Sequence, residues 1–187
     1  MKYAILAGGH GSRFVKEGVA TPKPMIEVMG QPMIGRLVEL LQNCGAETIS
    51  IAANPRMEGF IPYLESLRAK YDNVVINPVI TENSYESLLA ATNCLDGKFI
   101  GMTVDTIFPL GEFRAYVRAV EEMAADESVM GLTRYIDDES PLYARINGEG
   151  EIIDYRYGGE PFAGGAIVSA GLYGLDRECM DAVKNSG

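Results

Sequence analysis

Short apolar runs of strand type alternate along this chain with segments of helical periodicity, and this alternation restricts the possible folds more than any other feature. The predicted strands span residues 2–7, 48–53, 74–77, 99–104 and 129–135. Between them, apolar residues recur on one helical face, as Ile34, Leu37 and Leu41 do. Repeated strand–helix alternation requires a largely parallel sheet with helices on both faces. The sequence therefore predicts an α/β chain with three αβα layers.

The alternation ends after residue 135. Residues 147–150, Asn-Gly-Glu-Gly, are typical of a hairpin turn and have strand-like runs on both sides. An apolar run at 166–175 and the start of a helix at 176–185 follow. Since no linker, repeat or low-complexity tract divides residues 1–187, we expect a single domain.

A glycine-rich loop with two cations follows the first predicted strand. Three glycines fall within four positions: Gly8, Gly9 and Gly11. Because glycine has no Cβ, backbone N–H groups in such a loop can approach an anion. Arg13 offers a planar fork for phosphate oxygens, and Lys23, between two prolines, offers a point charge on a stiff segment. A glycine turn alone would be ordinary, but two cations beside it indicate a phosphate site suited to a nucleoside triphosphate.

Composition excludes several classes of function. The net charge of −10 argues against a nucleic-acid partner, because binding to a phosphate backbone relies on clustered Lys and Arg. Cys44, Cys94 and Cys179 are widely spaced, so neither a disulfide framework nor a zinc site is indicated, and a reducing cytoplasm is expected. No segment approaches the roughly 20 apolar residues that span a bilayer, so no membrane association is expected. The single histidine, His10, leaves little for a Ser-His-Asp or Cys-His mechanism.

The compound motif at the N-terminus resembles that of the sugar-nucleotide pyrophosphorylase group of nucleotidyltransferases. It consists of Leu-Ala-Gly-Gly-His-Gly-Ser-Arg-Phe at 6–14 and Pro-Lys-Pro-Met at 22–25, and weaker similarity continues at 30–34, 104–106 and 170–173. The resemblance implies a Rossmann-like nucleotidyltransferase fold with a mixed, mostly parallel sheet. It also implies transfer from a nucleoside triphosphate to a sugar 1-phosphate with release of pyrophosphate, and dependence on Mg²⁺. Residues 1–135 would form the nucleotide-binding part and 136–187 the acceptor side.

Roles for individual residues follow from the motifs and the resemblance together. Arg13 and Lys23 are the expected catalytic cations. The expected nucleotide-binding residues lie in the loop and at the start of a helix that Asn83 would cap: Leu6, Ala7, Gly8, Gly9, Gly11, Ser12, Asn83 and Ser84. Asp105, at the end of the predicted strand 99–104, is the expected Mg²⁺ ligand, and a loop cap is its alternative role. The expected contacts of the phosphorylated acceptor are Arg156, Glu160, Ser169 and Gly171.

The acceptor motifs leave alternatives open, because the family's lysine before Pro161 and asparagine at position 169 are both missing. Asn-Ser-x-x-Ser-Leu at 83–88 resembles the choline-phosphate cytidylyltransferase branch. A catalytically weak nucleotide-binding or assembly module is a further alternative. In the resembled family more sheet and helix follow, so the chain is expected to be short at its C-terminus. The family's second metal aspartate is then also expected to be missing, and Asp154 could take its place. The run 166–175 would then expose apolar surface and favour a homodimer.

Overall fold

The computed structural model describes residues 1–9, 21–136 and 140–185 of the chain. The strands are β1 (Lys2–Ala7), β2 (Glu27–Val28), β3 (Gln31–Pro32), β4 (Thr48–Ala53), β5 (Val74–Pro78), β6 (Lys98–Thr103), β7 (Val129–Thr133), β8 (Leu142–Ile146), β9 (Ile152–Tyr157) and β10 (Val168–Asp176). The helices are α1 (Met33–Asn43), α2 (Phe60–Lys70), α3 (Ser84–Thr92), α4 (Leu110–Glu122) and α5 (Arg177–Asn185), and a 3₁₀ turn spans Lys23–Met25. The predicted strands therefore form, with ends that move by at most two residues.

One eight-stranded sheet organises the fold, in the order β5-β4-β1-β6-β10-β8-β9, with β7 also paired to β10. The pairs β5–β4, β4–β1 and β1–β6 are parallel. Strand β10 runs antiparallel to β6, β7 and β8, and β9 runs antiparallel to β8. Strands β7 and β8 consequently point the same way as the four parallel strands, and only β9 and β10 are reversed. The predicted mixed, mostly parallel sheet is confirmed.

Helices cover both faces of this sheet. Since the side chains of a strand alternate between the two faces, one strand contributes to two cores. On β1, Tyr3 and Ile5 pack into the larger core with α1, α2 and α4. Ala4, between them, packs into the smaller core on the other face, which α3 and α5 cover through Ala91 and Met180. The three αβα layers are those that the sequence predicts. Within the described residues, no helix has both the length and the apolar character needed to cross a bilayer.

Strand β10 corrects one expectation from the sequence. The apolar run 166–175 was expected to be exposed, but Val168 and Leu172 are each only 4% exposed. The reason is that β10 inserts between β6 and β7, so that its side chains pack on neighbours distant in sequence. The predicted exposed apolar surface on this run is therefore wrong, and with it the stated reason for a homodimer.

Candidate active site

A cleft of about 1050 Å³ opens at the carboxyl ends of the parallel strands. In open α/β sheets this is the edge where ligands bind. Residues from distant parts of the chain meet in its wall. The sequence-predicted site residues that line it are Leu6, Lys23, Ser84, Asp105, Ser169 and Gly171. The fold thus assembles predicted nucleotide, metal and acceptor residues around one space.

An ion pair between Lys23 and Asp105 is the main charged feature of this cleft. The Lys23 Nζ lies 2.5 Å from Asp105 Oδ2, and the two side chains are 33% and 38% exposed. Lys23 begins the 3₁₀ turn that follows Pro22, and the buried Pro24 anchors this turn. Asp105 lies two residues beyond the end of β6. A cation and a carboxylate are therefore held together at the sheet edge, open to solvent on the cleft side.

The environment of Asp105 keeps its carboxyl group ionised. Burial by itself would raise the pKa of Asp105, but the hydrogen bond and charge of Lys23, together with a hydrogen bond from Thr103, outweigh burial and lower this pKa below its usual value. Thr103 is in turn fixed by Thr106, since their hydroxyl oxygens lie 2.9 Å apart. At neutral pH Asp105 consequently presents a hard, anionic oxygen, the kind of ligand that Mg²⁺ takes.

The start of the glycine loop is shaped by close packing. A Cβ at Gly8 would lie 2.9 Å from Thr81 Oγ1 and 3.1 Å from Ser87 Oγ, so only glycine fits there without a shift. Gly9 has open space in the Cβ direction. Ala7 and Gly8 are both buried. The close packing of Thr81 and Ser87 therefore explains why residue 8 is glycine. Contact of Gly8 with a nucleotide remains a prediction.

His10, Gly11, Ser12 and Arg13 lie outside the described residues, so the roles predicted for Gly11, Ser12 and Arg13 stay predictions.

The side chain of Asn83 is engaged at the N-terminus of α3. Its Oδ1 accepts a hydrogen bond from Glu86 N at 2.9 Å, and its Nδ2 donates to Glu86 Oε1 at 3.0 Å. Glu86 Oε2 also accepts from Glu82 N, so that a reciprocal cap closes the helix start. The predicted cap is confirmed, whereas contact of Asn83 with a base stays a prediction. Ser84, the next residue, lines the cleft.

An irregular segment of β10 forms the opposite wall. The pairing with β7 shifts between Ser169 and Tyr173, and Gly171 between them has a φ of +72°. A Cβ at Gly171 would lie only 2.6 Å from Thr103 Oγ1. Ser169 Oγ accepts a hydrogen bond from Gly171 N at 3.1 Å and donates to Tyr173 Oη at 2.9 Å. This segment thus presses against the end of β6, which leads to Asp105.

Two of the predicted acceptor residues lie elsewhere. Arg156 Nη1 donates to the backbone oxygen of Glu160 at 3.1 Å, and the guanidinium carbon lies 4.6 Å from the centroid of the Phe162 ring. Neither Arg156 nor Glu160 is among the described residues that line the cleft. Asp154 is likewise outside this lining and pairs with Arg145 at 3.1 Å. Roles for Arg156 and Glu160 in acceptor binding stay predictions that the cleft geometry does not favour.

Several residues of the site were not foreseen from the sequence. Thr103 and Thr106, which flank Asp105, carry a signal that could have been used, because hydroxyls beside a candidate ligand are common orienting groups. Tyr135 and Tyr157 line the cleft with largely exposed rings, yet nothing in their spacing indicates it. Asn54, directly after β4, is buried and contacts the glycine loop.

Across 1–9, 21–136 and 140–185, no group of three or more His, Cys, Asp or Glu residues could hold a metal ion. Mg²⁺ commonly takes only one or two carboxylates and completes its octahedron with phosphate and water. A single ionised Asp105 in a roomy cleft fits that type of site, in which the ligand's own phosphates supply the other oxygens.

Comparison with known proteins identifies the family. Residues 3–145 match the model of the MobA-like NTP transferase domain, and the chain belongs to this family. It is 30% identical over 196 aligned positions to a mannose-1-phosphate guanyltransferase from Eremothecium gossypii, an alignment that covers 98% of this chain and 52% of the relative. The chain therefore spans about half the length of this curated relative. The resemblance seen in the motifs is confirmed.

Two further similarities concern a cytidylyltransferase and a solved pyrophosphorylase structure. A 2-aminoethylphosphonate cytidylyltransferase from Lancefieldella rimae is 35% identical over 95 residues, which cover 49% of this chain and 37% of that protein. The structure of a nucleoside-diphosphate-sugar pyrophosphorylase from Vibrio cholerae superposes with a TM-score of 0.71 at 18% identity, over 100% of this chain and 78% of the other. At that identity the superposition shows the fold, which confirms the predicted nucleotidyltransferase architecture.

Proposed function

We propose that this chain is a Mg²⁺-dependent nucleotidyltransferase that joins a nucleoside triphosphate to a sugar 1-phosphate and releases pyrophosphate. The observation that carries the proposal is the Lys23–Asp105 pair, because it holds a cation and an ionised carboxylate together where the parallel strands end. Family membership and the similarity to a mannose-1-phosphate guanyltransferase support the same reaction class.

The proposed chemistry needs charge neutralisation more than proton transfer. An oxygen of the acceptor phosphate, already ionised at neutral pH, attacks the α-phosphorus. The bond from that phosphorus to the bridging oxygen breaks, and pyrophosphate leaves with the electron pair. Phosphoryl-type transfer of this kind is accelerated mainly by positioning and electrostatic stabilisation. Lys23 stabilises the growing negative charge on the phosphate oxygens, as the described cation of the cleft wall. Asp105 would hold Mg²⁺, which when bound neutralises phosphate charge and orients the phosphates.

The ion pair implies an exchange of partners on binding. Lys23 Nζ donates a hydrogen bond to Asp105 Oδ2. A triphosphate of charge about −4 attracts Lys23 more strongly than one carboxylate does, but Asp105 repels it unless a cation lies between them. Triphosphate and Mg²⁺ are therefore expected to bind together better than either binds alone.

A second candidate acceptor is a small phosphate or phosphonate with an ammonium group. Among the described residues that line the cleft, Lys23 carries the single positive charge, and Glu112 and several tyrosines, including Tyr135 and Tyr157, also line it. Ammonium groups bind carboxylates and the faces of aromatic rings. The similarity to a 2-aminoethylphosphonate cytidylyltransferase is consistent with this alternative.

A matrix of substrates tests both candidates. Pyrophosphate release would be measured with each of the four ribonucleoside triphosphates against mannose 1-phosphate, glucose 1-phosphate, phosphocholine and 2-aminoethylphosphonate, with Mg²⁺ and with chelator. Turnover with a sugar 1-phosphate supports the first candidate, and turnover confined to the ammonium compounds supports the second. Binding of a triphosphate without turnover in any combination would refute the transferase proposal and leave a nucleotide-binding module.

A further inference from the structure

We infer that Asn54 is a positioning residue that fixes the start of the glycine loop for phosphate binding, an inference that rests on the function proposed above. Asn54 follows β4 directly and is only 2% exposed. Its Nδ2 donates to the backbone oxygen of Gly9 at 3.2 Å, and its backbone N donates to the oxygen of Ala7, also at 3.2 Å. One buried residue therefore binds the last carbonyl of β1 and the carbonyl of Gly9 in the loop.

The carbonyl between these two is held as well. Thr81 N donates to the oxygen of Gly8 at 3.2 Å. Three consecutive carbonyls, those of Ala7, Gly8 and Gly9, are thus bound by donors from the segments that follow β4 and β5. No cis peptide occurs in the described chain. In a trans peptide the N–H points opposite to the preceding C=O, so the N–H groups of Gly8 and Gly9 face away from these donors.

This orientation matters because successive backbone N–H groups are what a glycine loop offers to an anion. Asn54 supplies the one side-chain donor of the three, to the carbonyl of Gly9. The other end of its amide is also fixed, since Oδ1 accepts from Arg56 N at 2.9 Å. A rotation of the amide would lose both bonds, so the side chain has one orientation and fixes the carbonyl of Gly9 at the start of the loop.

Aspartate and alanine at position 54 separate positioning from simple packing. Asn54→Asp keeps the acceptor for Arg56 N and the shape of the side chain, but it places an oxygen against the oxygen of Gly9. Asn54→Ala removes both side-chain bonds. Ser50→Ala is the matched control: Ser50 is a fully buried polar residue on β4, the strand before Asn54, and it accepts a hydrogen bond from Asn77 Nδ2 at 2.8 Å.

The probe is inorganic tripolyphosphate with Mg²⁺, because it reports on the phosphate site independently of the base. Calorimetry should show about a 10-fold weaker affinity for both Asn54 variants, the scale of one buried hydrogen bond, and the KM for triphosphate should rise with it. Ser50→Ala should lower the melting temperature and leave affinity and KM unchanged. Where Asn54→Ala does not fold, Asn54→Asp carries the comparison.

The outcomes distinguish this inference from the proposed function. If both Asn54 variants bind tripolyphosphate within about twofold of wild type, a difference below one hydrogen bond, Asn54 is structural only and the inference is overturned. If wild type binds tripolyphosphate but transfers no nucleotide, the proposed reaction fails while the affinities still decide the role of Asn54. If wild type does not bind tripolyphosphate, both fail.

Discussion

In the parallel half of the sheet, Asp105 and Asn54 follow buried strands, whereas the hairpin β8–β9 ends in an exposed edge strand, β9. Every residue of β4 after the first is buried, and β6 is buried along its four central positions. On β9, five of six residues are exposed. Parallel strands that are packed on both faces need mostly apolar residues, whereas an edge strand can keep polar and exposed residues.

The difference in burial matches a difference in chemistry. The charged pair and the start of the glycine loop belong to the parallel half. A shift of one strand in this half would disturb the core. The opposite wall offers tyrosine rings and an irregular segment of β10. A fixed charge arrangement suits the proposed step at the α-phosphorus, and an exposed aromatic wall suits the proposed ammonium-bearing acceptors. We therefore expect mutations on the two sides to affect different kinetic constants.

The largest effect is expected from removing the positive charge of Lys23. Lys23→Ala should lower the rate of pyrophosphate release about 10²-fold or more, as is typical for loss of one preorganised electrostatic group. Lys70→Ala is the control, because Lys70 also pairs with a carboxylate, Glu39 at 3.0 Å, but lies on α2 away from the cleft. Equal turnover for Lys23→Ala and Lys70→Ala would show that Lys23 takes no part in the reaction.

A smaller and more specific effect is expected at Asp105. Asp105→Asn should reduce the gain in triphosphate affinity on adding Mg²⁺ by at least about 10-fold, a loss seen even for residues that only support a ligand. Without metal, the same variant should bind triphosphate better than wild type, since one negative charge is gone. Calorimetry with Mg²⁺ and with chelator measures both. The control is Asp154→Asn, whose partner is Arg145 outside the cleft. An unchanged Mg²⁺ dependence would leave Asp105 with only a capping role.

The junction between the two sides can be tested at Gly171. A non-glycine residue in left-handed backbone costs about 1–2 kcal/mol, a term that Gly171→Ala shares with Gly45→Ala. The φ of Gly45 is +73°, nearly that of Gly171, but a Cβ there meets nothing within 4 Å. At Gly171 the clash with Thr103 should add about 1–3 kcal/mol. Denaturant unfolding compares the two variants, and equal losses would mean that β10 does not press on the end of β6.

Local patterns in the sequence were sufficient for the elements but not for every contact between them. Strand β4 was predicted at its observed position because its strand-type sequence, Thr-Ile-Ser-Ile-Ala-Ala, is a local pattern. The place of β10 depends on pairing with β6, some 70 residues away, and no local pattern encodes it. Arg156 was singled out for its charge, but its contact with the ring of Phe162 could not be read from a local pattern. Lys23 and Asp105 could each be predicted from the sequence. Their contact could not, because it depends on how the sheet brings the two segments together.

The smallest effect is expected on the exposed aromatic wall, and it tests whether this wall recognises the acceptor. Tyr157 lines the cleft, whereas Tyr155, two residues earlier on β9, is outside the described lining, and the two side chains are similarly exposed at 70% and 73%. Tyr157→Leu removes a ring face but keeps apolar bulk. Contacts of an exposed ring with an ammonium group are worth about 0.5–1 kcal/mol, so the KM for an ammonium-bearing acceptor should rise about 2- to 5-fold. The KM for triphosphate should stay constant, because the residues proposed to bind it lie on the parallel half. Tyr155→Leu should change neither constant. A rise in the triphosphate KM for Tyr157→Leu, or equal effects of the two variants, would contradict the division of labour between the two sides of the cleft.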